Sequence, residues 1–293
     1  MKFQLKKNYL AQVVAIALCG TFVTAAQAAP VTISGFGTTS ARIDNAGYFS
    51  SSGALGLSFM GREYVNHGTP ASNWWLNANG GTVAVADEVT GSNPLSTTAF
   101  AIGGSSIAVV TNLGGGGGGW SVIETVSIPT SGHVSVKVQL TNNTGATANH
   151  VQWGVGIDPD QGIPGGVGFG TTNTIDGLGN LSSVTAKSLD GWSLTLHNTT
   201  SASAFAIAPY VDPVACCSPV DPAVMLAAAQ GIGSYGFADH SINLAYDLGT
   251  IANHKSVSFG YEYIMAVPEP ETYAMLLAGL GLIGFSARRR RMM

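Results

Sequence analysis

Charge is scarce in this chain of 293 residues, since Asp, Glu, Lys and Arg together make up only 10% of it. Three lysines lie in the first seven positions and four arginines in the last six. The segment between, residues 29–267, keeps five basic residues against 14 acidic ones, a net charge of −9. Nucleic acid is therefore not a predicted partner, because phosphate binding requires clustered Lys and Arg. An acidic surface suits calcium binding or plain solubility.

Cysteine is also scarce, and after an N-terminal apolar run that contains Cys19 only the adjacent Cys216 and Cys217 remain. Two adjacent sulfurs close no useful loop, so the fold must depend on its apolar core. Three states stay open for the pair: a vicinal disulfide, intermolecular links or two free thiols. Zinc is disfavoured because no second Cys or His pair lies at ligand spacing.

Short catalytic motifs are missing as well. The six histidines are scattered, and none belongs to an H-E-x-x-H pattern. The sequence contains no G-x-S-x-G elbow and no Walker loop. We therefore predict a protein that is not an enzyme and that requires no cofactor, with calcium as the one exception.

Helix-forming segments are few, and apolar residues alternate with polar ones instead. Val134–Leu140 and Val257–Met265 are clear examples, in runs bounded by turn residues. This period of two, with the Gly-rich and Thr-rich composition, predicts an all-β fold: a single large antiparallel β-sandwich. Residues 222–230 are the exception and favour a short helix, with Asp221 as N-cap and Gly231 as C-cap.

The N-terminal segment has the composition of a secretory signal peptide. Three lysines precede an apolar run, and residues 26–28 read Ala-Gln-Ala, which is an A-x-A cleavage site. We predict that residues 1–28 form a signal helix and that signal peptidase cuts between Ala28 and Ala29.

The last 26 residues contain three parts in a fixed order. Pro268, Glu269 and Pro270 come first, followed by an apolar stretch at 272–287, and the tail closes with Arg288, Arg289, Arg290 and Arg291. Arginines stop a chain in a membrane because guanidinium groups are costly to carry through hydrocarbon. The apolar stretch, as a helix, spans only about 24 Å, short of the roughly 30 Å hydrocarbon core. A transient hydrophobic transmembrane helix is therefore predicted.

This tail resembles the PEP-CTERM sorting signal of Gram-negative bacteria, which exosortase processes. The resemblance implies recognition at residues 268–270, removal of the tail after transient anchoring in the inner membrane, and transfer of the body to the cell surface or extracellular matrix. An ordinary single-pass anchor is the alternative. The predicted organisation is a signal peptide at 1–28, an extracytoplasmic β-sandwich domain at 29–267 and the sorting signal at 268–293.

A second resemblance concerns the body. Residues 124–129, 134–144, 153–160 and 239–263 are similar to exported bacterial proteins related to the galactose-mutarotase-like supersandwich. The resemblance implies one domain of two packed antiparallel sheets. It carries over no histidine and glutamate of a mutarotase, and the scaffold hosts epimerases, lyase domains and noncatalytic proteins alike.

Two glutamates interrupt apolar rows and are candidate acids or bases. Glu124 shares a strand face with Trp120, Val122 and Val126, and Glu63 is in phase with apolar neighbours from position 57 onward. A buried carboxylate would have a raised pKa and could act in catalysis. The alternative is a position near a sheet edge or an ion pair with a basic residue.

Asp158 and Asp160 are candidate calcium ligands. They lie two residues apart on an acidic turn that follows a strand, and calcium uses oxygen ligands at alternate positions. The pattern lacks the distal Glu of an EF-hand. A solvated turn without a metal is the alternative interpretation.

Trp74 and Trp75 are candidate sugar-stacking residues in a stretch rich in Asn and Gly. Neighbouring residues on a strand point to opposite faces, so one ring is expected in the core and the other at the surface.

Three functional hypotheses follow from the sequence. The main one is an exported, noncatalytic surface or matrix protein, linked by the tail's resemblance to exopolysaccharide and biofilm. A carbohydrate-binding module that uses Trp74, Trp75 and nearby amides is the second. A sugar-active, mutarotase-like enzyme that uses Glu124 or Glu63 is the third.

Overall fold

The computed structural model describes residues 30–44, 46–49, 56–65, 67, 69, 71–92, 97–103, 106–113, 119–201, 205–228, 230–268 and 279–280. Outside these residues lie Ala28, Ala29, Glu269, Pro270 and Arg288–Arg291, so the signal peptide and most of the tail remain predictions. In the tail beyond Pro268, the structure describes Gly279 and Leu280, and both are helical. Among all described residues, no helix is long and apolar enough to cross a membrane.

Strands dominate the described chain, and their bounds are β1 (Val31–Ser34), β2 (Ser40–Ile43), β3 (Leu57–Phe59), β4 (Arg62–Glu63), β5 (Ser72–Ala78), β6 (Gly81–Asp87), β7 (Thr97–Gly103), β8 (Ser106–Leu113), β9 (Gly119–Ser127), β10 (His133–Asn143), β11 (Ala148–Ile157), β12 (Thr171–Gly177), β13 (Ser183–Ser188), β14 (Ser193–Asn198), β15 (Ala206–Val211), β16 (Gly233–Ala238), β17 (Ile242–Ile251) and β18 (Ser256–Ala266). The α-helix α1 (Pro222–Ala227) lies between β15 and β16. Short 3-10 turns occur at Phe36–Thr38, Ile163–Gly165 and Gly179–Leu181.

The strands form three antiparallel sheets, which confirms the predicted all-β sandwich. A nine-stranded sheet has the order β16-β12-β13-β14-β18-β10-β9-β8-β7. A five-stranded sheet has the order β15-β17-β11-β5-β6, and β1 to β4 form a small sheet in chain order. The last strand, β18, therefore lies inside the nine-stranded sheet, between β14 and β10.

The core lies between the two larger sheets. The ring of Trp153 on β11 stacks on Trp74 at 4.7 Å and contacts Phe259 of the opposite sheet edge-on at 5.7 Å. Tyr246 on β17 also meets Phe259, at 4.9 Å. Aromatic pairs at these separations stabilise the fold beyond the contribution of the apolar area that they bury. The alternation predicted for β10 is confirmed, because its four apolar side chains from Val134 to Leu140 are all buried.

The body ends directly at the sorting motif. β18 stops at Ala266, whose carbonyl oxygen accepts a hydrogen bond from the Tyr64 hydroxyl at 3.2 Å. Pro268 packs on Gly191, where a Cβ would lie 3.2 Å from the Pro268 ring. The first residue of the predicted motif is thus in contact with the folded domain.

Two local predictions need correction. Residues 57–65 do not form one strand, because Met60 and Gly61, both at positive φ, make a tight turn between β3 and β4. The two-residue turn with left-handed backbone is typical of a hairpin. The helix begins as predicted with Asp221 as its cap, but it ends at Ala227 and its C-cap is Ala228 rather than Gly231.

Candidate binding face and buried carboxylates

The five-stranded sheet has an outer face, which we define as the side turned away from the nine-stranded sheet. Helix α1 covers the middle of this face. A Cβ at Gly154 of β11 would lie 2.9 Å from Met225 Cε and 3.3 Å from Pro222 Cδ, so the helix packs closely against the backbone of this strand. The helix is fastened to the sheet by Asp221, whose Oδ1 accepts from Ala223 N at 2.8 Å and from Asn77 Nδ2 at 2.7 Å.

A row of polar residues crosses the outer face beside α1. The strand register aligns Thr82, Asn77, Gln152 and Asp247 across four strands. Trp75 lies next to this row, and its Nε1 donates to Asn77 Oδ1 at 2.8 Å and to Thr82 Oγ1 at 3.2 Å. A half-buried indole with hydrogen-bonding groups along its edge is thus fixed on the outer face.

The two adjacent tryptophans point to opposite sides of β5, as expected from strand geometry. Trp74 is only 1% exposed and donates from Nε1 to the carbonyl oxygen of Ala46 at 2.7 Å. It belongs to the core and is not accessible to a ligand at the surface, which corrects its place among the predicted sugar-stacking residues. Trp75 keeps that candidacy.

A separate acidic region lies where β11 and β16 end. Asp158 and Asp160 follow β11, and Asp239 follows β16 of the other large sheet. One carboxylate oxygen from each of the three lies within 4.8 Å of the other two. The chain is held here by backbone hydrogen bonds from Asp158 N to Ala71 O and from Asp160 N to Tyr64 O, both at 2.8 Å.

The acidic turn is buried rather than solvated. Asp158 is 2% exposed and Asp160 is 0% exposed, so the alternative of a solvated turn is wrong. Burial, followed by the negative charge of Asp239, raises the pKa of Asp158. Burial also raises the pKa of Asp160, with further contributions from Asp158, Asp239 and Glu63. Both shifts express the cost of placing negative charges together in a poorly solvated place.

The cysteine pair lies against this acidic region. Of the three states left open by the sequence, the structure contains the vicinal disulfide Cys216–Cys217. The Cys217 sulfur is 3.4 Å from Asp158 Oδ2. Since a disulfide sulfur carries no proton to donate, this is a packing contact unless Asp158 itself is protonated.

Glu124 lies in the interior, far from any sheet edge. Its strand β9 is paired on both sides, and the side chain is 2% exposed. The turn at Gly47 covers it, because a Cβ on Gly47 would lie 2.7 Å from Glu124 Oε2. Among the described residues Oε2 has no hydrogen-bond partner, and burial raises the pKa of Glu124 well above its ordinary 4.5. Burial and then the Glu124 charge raise the pKa of Tyr261 and Tyr263 as well.

Glu63 is also buried, but both of its carboxylate oxygens accept hydrogen bonds. Its Oε1 accepts from Gly56 N at 2.9 Å and from Leu57 N at 3.1 Å. Its Oε2 accepts from Val65 N at 2.9 Å. The carboxylate thus satisfies three backbone amides around the β3–β4 hairpin. These bonds give the buried carboxylate a structural role in the hairpin.

The end of the chain matches a known family model. The model of the PEP-CTERM protein-sorting motif covers residues 266–291. The chain carries this sorting signal. The PEP-CTERM motif implies export, a membrane-anchored sorting step and processing by exosortase. The predicted resemblance of the tail to a PEP-CTERM sorting signal is therefore confirmed. Because the match begins at the last residue of β18, no linker separates the motif from the body.

The solved structures that match this one are distant in sequence. An Escherichia coli K12 protein described as an aldose 1-epimerase is 11% identical, with a TM-score of 0.42, over 81% of this chain and 98% of that one. The GalM/aldose epimerase homologue from C. elegans is 8% identical (TM-score 0.44; 82% and 99%). Heparan sulfate lyase HepC from Pedobacter heparinus is 12% identical (TM-score 0.41; 79% and 34%). No curated protein matches the chain.

Proposed function

We propose that this PEP-CTERM protein is a noncatalytic component of the cell surface or extracellular matrix, where it associates with exopolysaccharide. The burial of Glu124 carries the noncatalytic part of the proposal. A general acid or base must come within hydrogen-bond reach of its substrate, and the Glu124 carboxyl lies beneath the Gly47 turn in the core. The other candidate, Glu63, has its oxygens occupied by backbone amides.

Processing at both ends is expected in the exporting host. Intact-mass spectrometry of the surface-released protein should find a species that begins at Ala29 and lacks Arg288–Arg291. The Glu269→Ala variant should keep its tail and remain in the membrane fraction. Glu271→Ala, which removes the next carboxylate along the chain but leaves the motif intact, is the matched control and should be processed normally. A released native species that still contains the four arginines would contradict the proposal.

Carbohydrate binding is a second candidate function, favoured by the setting of Trp75. Flat aromatic rings stack on sugar faces, and side-chain amides and carboxylates bind sugar hydroxyls. The outer face presents such a ring beside Asn77 and in line with Gln152 and Asp247. The ring is also held in place by two hydrogen bonds from Nε1, so little conformational freedom would be lost on binding.

Trp75→Ala is expected to weaken binding to the host's exopolysaccharide by at least about tenfold, because a stacked aromatic anchor is lost. Trp75→Phe keeps a flat ring and should retain most of the affinity. Binding can be measured by co-sedimentation with the polysaccharide and on a broad glycan panel, with unfolding curves to verify the fold of each variant. Absence of binding by the native protein throughout would remove this candidate, and equal binding by Trp75→Ala would place the glycan elsewhere.

A further inference from the structure

Three carboxylates from two separate parts of the chain converge where β11 and β16 end. Asp158 and Asp160 belong to the connection after β11, whereas Asp239 follows the edge strand β16 of the nine-stranded sheet. Their nearest oxygens all lie within 4.8 Å of one another. Calcium–oxygen distances of about 2.3–2.6 Å allow two ligands of one ion to be up to about 5 Å apart. The spacing therefore fits a single shared cation.

The oxygens of this group also lack other partners. Neither carboxylate oxygen of Asp160, a fully buried side chain, has a hydrogen-bond partner within the described part of the chain. Asp158 Oδ1 is buried and unpartnered in the same way. Buried polar atoms in native proteins are nearly always paired, and an unpaired carboxylate is among the costliest exceptions. Unpaired buried oxygens of this kind indicate a bound ligand that they coordinate.

The neighbouring charged side chains do not neutralise the three aspartates. The guanidinium of Arg62 is engaged by Asp190 at 2.9 Å and by the carbonyl oxygen of Gln161 at 2.8 Å, and it stacks over Trp192. Glu63 adds a further negative charge near Asp160. His240 follows Asp239 in the chain. It lowers the pKa of Asp239 but not that of Asp158 or Asp160. Acidic side chains thus outnumber basic ones around this group.

The available donors select a hard cation. The sulfurs of Cys216 and Cys217 also lie within 4.8 Å of an Asp158 oxygen, but they form a disulfide and are not thiolates. Carboxylate oxygens are what remain, and these suit calcium rather than zinc or copper. Asp239 is exposed, so an ion can enter from its side, and water can fill the positions that protein oxygens leave open.

We infer that Asp158, Asp160 and Asp239 bind a calcium ion that links the end of β11 to the end of β16. The sequence pattern supplies two of these ligands, and the fold adds the third. The ion would join the five-stranded sheet to the outermost strand of the nine-stranded sheet. This inference does not depend on the proposed function, since a metal link of this kind serves a binding protein and a scaffold equally.

Calorimetric titration of the exported, processed protein tests the inference. The protein is treated with EDTA, dialysed without reductant and titrated with CaCl2 to about 10 mM, a range that covers the weak affinities of extracellular calcium modules. We expect one site per chain and a rise in Tm of about 2–8 °C at saturation. MgCl2 should bind more weakly, because magnesium demands a stricter octahedral geometry.

Three variants separate the site from general effects of charge. Asp239→Asn, at an exposed position, should bind calcium at least about tenfold more weakly because one charged ligand is lost. Asp160→Asn should lose the calcium-dependent rise in Tm, while its Tm in EDTA equals or exceeds that of the native chain. Asp176→Asn is the matched control, since it removes an exposed carboxylate at the opposite end of β12 and should respond to calcium normally.

Two results would overturn the inference. The first is no heat of binding and no change in Tm up to 10 mM CaCl2, which would mean that the group is neutralised by protons alone. The second is an equal loss of calcium response in Asp176→Asn and Asp239→Asn, which would indicate diffuse attraction of calcium to an acidic surface.

Discussion

The Glu124→Gln variant is expected to be more stable than the native chain at neutral pH. The carboxyl group is buried under the Gly47 turn, and burial raises its pKa well above 4.5. Above pH 4.5 the unfolded chain releases this proton while the folded chain retains it. The free energy of unfolding of the native chain therefore falls by about 1.4 kcal/mol per pH unit from roughly pH 4.5 up to the raised pKa. Glutamine has nearly the same shape and does not titrate, so it removes this contribution.

Urea denaturation of both chains at a series of pH values from about 4 to 8 measures the effect. The difference in unfolding free energy should be smallest near pH 4.5 and should grow to roughly 1–3 kcal/mol in favour of glutamine at pH 7. Other buried acids titrate in both chains, so their contributions cancel in the difference. A difference that does not change with pH would show that Glu124 has no raised pKa. A constant difference in unfolding free energy can still arise because the amide packs differently from the carboxyl group.

The same substitution at Glu63 is expected to have the opposite sign. Glu63→Gln should lower the free energy of unfolding by about 2–4 kcal/mol, because charge-assisted hydrogen bonds are lost and a buried amide is left without an acceptor. The Oε2 position is decisive here. It accepts from Val65 N, and the NH2 group of glutamine in that place would face this backbone donor.

Denaturation at a single neutral pH is sufficient for this comparison. Glu262→Gln is the matched control, since that carboxylate pairs with His133 at 3.2 Å at the margin of solvent. Its replacement should change stability by less than about 1 kcal/mol. If Glu63→Gln proved as mild as the control, the three amides would have to find other acceptors, and the hairpin would not depend on the carboxylate.

These two glutamates also show what the sequence could and could not predict. Period-two spacing correctly placed Glu124 in a buried row, because β9 is a regular strand with the core on one side. The same reasoning failed for Glu63. Met60 and Gly61 turn the chain back after three residues of strand, and methionine is not a residue whose presence signals a left-handed turn.

Long-range contacts account for the rest of what sequence alone could not show. Asp158 and Asp160 stand out as a pattern, but their partner Asp239 lies beyond the helix and β16, on a connection with no metal motif of its own. The state of Cys216 and Cys217 could not be predicted either, because adjacency alone does not distinguish a vicinal disulfide from two free thiols. Strand alternation, in contrast, is a local property, and it predicted that Trp74 and Trp75 point to opposite faces of their strand.

The position of β18 in the sheet affects the order in which synthesis, export and folding can occur. This strand is the last part of the body to be synthesised and to cross the membrane, yet it joins β14 to β10 inside the nine-stranded sheet. The large sheet cannot be completed until the residues directly before the sorting motif have emerged. A chain that ends before Ser256 would lack both β18 and the sorting signal. We therefore expect such a truncated chain neither to complete the large sheet nor to be sorted.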